Sequence, residues 1–125
     1  MFIASVLIDI DILEAARNII SVIQRREIVH RLDIGDSSLG DAGCVLLFDF
    51  LESPTGRRCR NSLTELYLTR NGIGAKGLLA VSKFIKDNHV LRELCLSGVS
   101  VTCGHLIKKQ QTEDFLVINV EPTVQ

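Results

Sequence analysis

The chain is expected to be an α/β protein assembled from strand-plus-helix units, and three features of its spacing point there. Val29, Leu32, Ile34, Ser37, Leu39, Gly40 and Gly43 recur downstream as Leu63, Leu66, Leu68, Asn71, Ile73, Gly74 and Gly77. A fading third copy follows at Leu91, Leu94, Leu96, Val99 and Val101. Inside each copy the apolar period changes from two to about 3.6, the switch from strand to helix. Recurrence at this interval marks repeat architectures, so it bounds the fold before any single side chain is interpreted.

In chain order, Phe2–Ile12 alternates Ile8, Ile10 and Ile12 with Asp9 and Asp11, a strand pattern that could pair beside a strand at Arg31–Ile34. Asp11–Arg26 carries Ile12, Leu13, Ala16, Ile19, Ile20 and Ile23 at helical spacing, with Asp11 and Glu14 placed as a capping box. The first repeat then needs a helix that buries Cys44, Leu47, Phe50 and Leu51 and ends at Ser53, because the residue before Pro54 leaves the helical region. Leu66 lies 34 residues after Leu32 and 28 before Leu94, so the first repeat holds six extra residues. These fall within Glu52–Ser62, which is expected to be loop because it contains Pro54 and Gly56.

The second repeat is the clearest. Leu66 and Leu68 share one face of a short strand and Tyr67 takes the other, while Leu78, Val81, Phe84 and Ile85 form the apolar face of a helix over 75–86 closed by Asp87 and Asn88. The third copy has Thr102 and His105 where Gly74 and Gly77 stand, so it is expected to be degenerate. The run Phe115–Val120 suits one more strand within a solvated tail. The expected organisation is an N-terminal half-repeat or cap at 1–28, repeats at 29–62, 63–90 and 91–101, and a C-terminal tail at 102–125.

The string LTELYLTRNGIGAKGLLAV resembles the ribonuclease-inhibitor type of leucine-rich repeat, and the resemblance covers roughly residues 29–101. It implies a right-handed βα superhelix: a curved solenoid with parallel strands on the concave side, helices on the convex side and protein partners on the concave side. It also implies that Asn71 caps backbone groups where the chain leaves the strand; Ser37 and Val99 occupy the equivalent positions. Stacking the copies aligns Arg31, Glu65 and Glu93 in one row, Asp33, Tyr67 and Cys95 in the next, and Gly35, Thr69 and Ser97 in a third. Arg31, Asp33, Glu65, Tyr67, Thr69, Glu93, Cys95 and Ser97 are therefore the candidate partner-binding residues. Tyr67 is the expected anchor, since a tyrosine supplies large contact area with a hydrogen-bonding tip.

Other functions have weaker support. A net charge of −1, one tyrosine and no tryptophan argue against nucleic acid, and Arg57, Arg58 and Arg60 are expected to be a solvated insertion. No apolar run reaches the roughly 18 residues a membrane span needs, and Met1–Ile8 lacks the basic start of a secretory signal. Cys44, Cys59, Cys95 and Cys103 lack the spacing of a disulfide framework, so reduced thiols and a cytoplasmic setting are expected. Zinc held by Cys95, Cys103 and His105 lacks paired C-x-x-C spacing. Gly72, Gly74 and Gly77 form a G-x-G-x-x-G string after a strand, but the glycine turn recurs with the repeat and no second strand supplies the acid of a dinucleotide site. His30, His89 and His105 fall in different repeats, so no catalytic group assembles and neither enzyme activity nor a cofactor is expected.

The expectation is a protein-interaction scaffold with an unidentified protein partner. The alternative, from fold analogy with Ran-GTPase-activating proteins, is a small-GTPase activator in which Arg70 makes the contact. With two clear repeats and one poor one, the chain is expected to be a piece of a longer array or, second, to cover its exposed solenoid ends by self-association.

Overall fold

Alternating strands and helices fill the computed structural model, which describes residues 12–96 and the strand at 117–119. Helix α1 (Glu14–Arg26) leads to β1 (Arg31–Asp33) and α2 (Gly40–Glu52). A 3-10 turn (Pro54–Gly56) and a one-turn helix α3 (Arg57–Arg60) precede β2 (Glu65–Tyr67), α4 (Ala75–Lys86), β3 (Glu93–Cys95) and β4 (Val117–Asn119). The strands form one sheet in the order β1-β2-β3-β4, and every pair is parallel.

Register follows the repeat. Leu32 pairs with Leu66 and Leu66 with Leu94, the 34- and 28-residue offsets of the sequence pattern. Each strand is only three residues long, but backbone bonds lengthen the ladder at both ends. Thr64 N–H donates to His30 O (2.9 Å), Asp36 N–H to Thr69 O (2.8 Å) and Gly40 N–H to Asn71 O (2.7 Å). The run read as a further strand holds β4, so the sheet reaches into the segment assigned above to a tail. The expected strand at 2–12, the third copy beyond Leu96 and the rest of that tail lie outside the described residues, although Ile12 itself stands exposed in a turn.

Leu63, Leu66, Leu68, Leu91, Leu94 and Leu96 are buried between the sheet and the helices. The helices add Cys44, Leu47, Phe48 and Leu51 from α2 and Leu78, Val81, Phe84 and Ile85 from α4. Alternation explains the pattern: the leucines of each strand point to the helices, and their neighbours point to the opposite face. Leu32 on β1, the first strand of the sheet among the described residues, is partly exposed, whereas Leu66 and Leu94 are fully buried by a unit on either side.

Three expectations need correction. The Glu52–Ser62 insertion is mostly helical, because Pro54 sits at the start of a turn, where its missing N–H costs nothing. Ser53 caps that turn by accepting from Gly56 N–H (3.3 Å), and Cys59 is buried with its thiol 3.1 Å from Ile23 O rather than in a loop. Second, Phe48 rather than Phe50 is the buried aromatic of α2: α1 and α4 cover its two flanks, and Phe48 meets Phe84 with ring centroids 4.7 Å apart while Phe50 stays partly exposed. Third, α1 starts at Glu14 with Leu13 at its N-cap and no side-chain cap bond, so Glu14 is the first helical residue rather than the fourth position of a capping box; Asp11 lies outside the described residues.

Polar side chains, Asn71 and Asp41 among them, stitch successive units together. Asn71 is buried and accepts from Ser37 N–H (2.9 Å) and Leu39 N–H (3.1 Å), while its amide donates to Ile34 O (2.8 Å) and Thr69 O (3.3 Å). Its position implied a cap within its own turn, and the structure extends that role to the preceding unit. Asp41, in the first turn of α2, accepts from Gly74 N–H (2.6 Å) and Gly77 N–H (2.9 Å) at the start of α4. Helix α4 has no cap of its own, so a carboxylate from the neighbouring helix satisfies its first donors. Asp41→Ala is expected to lower stability by about 1 to 2 kcal/mol, as loss of an N-cap does. Urea unfolding measures it, and a change below about 0.3 kcal/mol would show that the bond carries nothing.

Candidate partner-binding face

The face of the sheet opposite the helices is built from the residues between the leucines. Pairing places Arg31, Glu65 and Glu93 side by side, with Asp33, Tyr67 and Cys95 in the next row. By register, Val117 and Asn119 extend these rows on β4. Ser97 lies outside the described residues. Thr69 reaches over Gly35, where an added Cβ would fall 2.4 Å from the threonine hydroxyl oxygen, so the third row is tight at its first two positions.

Tyr67 is the centre of the arrangement. Its hydroxyl lies 2.8 Å from Glu65 Oε1 and 3.0 Å from Glu93 Oε1, one proton between two carboxylates. The phenol is consequently held protonated far above its ordinary range, first by the bond to Glu65, then by burial and the bond to Glu93. On the ring face, the Arg31 guanidinium sits 4.8 Å from the centroid, a cation–π contact. The same group is 3.9 Å from Glu65 and 4.0 Å from Asp33. Tyr67 is thus fixed in one orientation by groups from three strands, which lowers the entropy lost when a partner covers it.

At the rim, Arg70 donates twice to Asp36, at 2.8 and 2.7 Å. That fork holds the Asp36 carboxyl below the usual carboxylate range and raises the guanidinium. The arginine proposed as a GTPase contact is therefore already engaged by an acid of the preceding turn. Two of the three arginines in the basic cluster are likewise partnered: Arg58 pairs with Glu27, Arg60 with Glu52 at 3.2 Å, and Arg60 also lies 5.9 Å from the Phe84 ring. Backbone donors at Gly74 and Gly77 in the G-x-G-x-x-G string are taken by Asp41, a carboxylate standing where a phosphate would sit.

Cys44, Cys59 and Cys95 are free thiols, while Cys103 and His105 lie outside the described residues. Among the described residues no group of three or more potential ligands gathers for a metal ion. Also among them, no helix is long and apolar enough to cross a membrane. Burial pushes the Cys44 thiol from 9.0 up to about 12, with Asp41 adding to the rise, and burial raises Cys59 in the same direction. Because the unfolded thiol ionises first, folding stability is expected to fall as pH rises from about 9 towards about 12. Cys44→Ala should flatten that fall in denaturant titrations at pH 8 and pH 11, and an unchanged slope would remove Cys44 as its source.

Tyr67, Asn71, Gly74 and Gly77 all lie in the region that comparison picks out. No match was found among curated proteins or among solved structures. A family model described as Leucine Rich repeat matches residues 61–82, from the end of the insertion through β2 and into α4, and supports a leucine-rich-repeat protein.

Proposed function

We propose that this chain is a ribonuclease-inhibitor-like leucine-rich-repeat solenoid that binds a protein partner on its concave sheet face and carries out no chemistry itself. Leucine-rich repeats point to protein interaction in general. The observation that carries the finer reading is the orientation of Tyr67 between Glu65 and Glu93 with Arg31 on its ring: a half-buried aromatic, held in place, with charges of both signs around it. Such an anchor is the usual centre of an interface, with polar residues such as Asp33, Thr69, Cys95 and Ser97 as its rim. Free thiols at Cys44, Cys59 and Cys95 support a reducing, cytoplasmic setting.

The test is capture of partners from lysate, identification by mass spectrometry, and affinity measurement with the purified partner. Tyr67→Ala combined with Glu93→Ala is expected to weaken binding roughly tenfold or more. Unchanged affinity, with cross-links confined to the helices, would overturn the concave-face reading.

A further inference from the structure

The opposite side of the molecule carries a second surface. Helices α2 and α4 lie side by side, and between them runs a groove of about 540 Å³ floored by the Phe48–Phe84 pair. Val45 (37% exposed) and Leu79 (53% exposed) rise from its walls. One wall belongs to α2 and presents Asp49; the other belongs to α4 and presents Lys76 and Lys83 along its length, with Asp87 at its C-terminal end, so three charges, Asp49, Lys76 and Lys83, stand on the helices themselves. Among the described residues, none of these three charges is in an ion pair. Glu52 is already occupied by Arg60.

The 34-residue repeat offset makes Val45 equivalent to Leu79 and Asp49 equivalent to Lys83, so each pair stands at the same height on its helix. A two-fold axis running along the groove therefore lays α2 of one molecule over α4 of another. Asp49 then faces Lys83 twice, and Val45 faces Leu79 twice. An axis across the groove would instead set each helix over its own copy and lose this match. The patch is self-complementary in charge and sets apolar residues opposite one another, as an isologous interface requires.

We propose that the α2–α4 face is where two copies of this chain meet, helix layer to helix layer, leaving both sheet faces open. Sedimentation equilibrium on the full chain at about 200 µM, above the micromolar dissociation constants expected of a small interface, should give twice the 13.8 kDa chain mass at low salt. Added salt should weaken the association, because the pairs lie at an exposed rim. Asp49→Lys alone and Lys83→Glu alone should each be monomeric, since each sets like charges opposite one another twice. An equimolar mixture of the two variants restores both contacts and should return to the dimer mass. Circular dichroism shows whether each variant is folded, and Leu79→Asp, at an exposed position, gives a second route to the monomer. Val22→Asp on the outer face of α1 should change nothing, which separates this contact from association through the end of the stack. A wild type monomeric at about 200 µM, or a dimer abolished by Val22→Asp but indifferent to both charge changes and their mixture, would overturn the proposal.

Discussion

Asn71→Ala is expected to destabilise the chain by about 3 to 5 kcal/mol, because several buried backbone groups lose their partner together. Among the described residues the amide is the only side chain bonded to Ile34 O and Leu39 N–H, and it also accepts from Ser37 N–H. Alanine would leave those donors and the carbonyl without a partner at a site where residue 71 is itself only 3% exposed. Loss of this magnitude is a large part of the stability of an ordinary domain, so the variant should unfold at markedly lower urea. A loss under about 1 kcal/mol would mean that the turns are held by leucine packing, with the asparagine incidental.

Gly56→Ala is expected to be nearly as damaging, at about 3 kcal/mol, for a steric reason. A Cβ on Gly56 would lie 2.1 Å from Phe50 O, 2.8 Å from Phe50 C and 3.0 Å from Leu51 Cα. All three are backbone atoms at the end of α2, so no side-chain rotation relieves the overlap. The backbone of Gly56 is itself unstrained, which makes the effect a clean measure of that close approach. A solvated loop would tolerate the change within about 0.5 kcal/mol, and thermal unfolding distinguishes the two outcomes.

What could be seen in the residue string was whatever depends on period. Leucines at 32, 66 and 94 pair as their spacing implies, and the helix at 75–86 has the expected bounds and the expected buried face. Positions of the candidate face followed from the same arithmetic, so the pairing of Arg31 with Glu65 and Glu65 with Glu93 was legible. The misses have a different character. Gly56 and Pro54 read locally as helix breakers, although proline suits the first position of a turn and glycine suits a close approach. The 34-residue offset aligns Phe50 with Phe84 and so favours Phe50 over Phe48, because alignment carries no information about which neighbour lies on each flank of α2. The cap from Asp41 to Gly74 and Gly77 spans 33 and 36 residues and leaves no local signal. Tyr67 was legible as an exposed aromatic, but its capture by two glutamates required the distance across β2 and β3.

The leucine interval stacks parallel strands in register and so assembles the face around Tyr67. Cross-strand nuclear Overhauser contacts in the labelled chain test it directly. Residue 66 should show parallel-type backbone contacts to residues 32 and 94, with Tyr67 ring protons close to Arg31 and Glu93 side chains. Antiparallel contacts between these segments, or none linking 32, 66 and 94, would contradict the account.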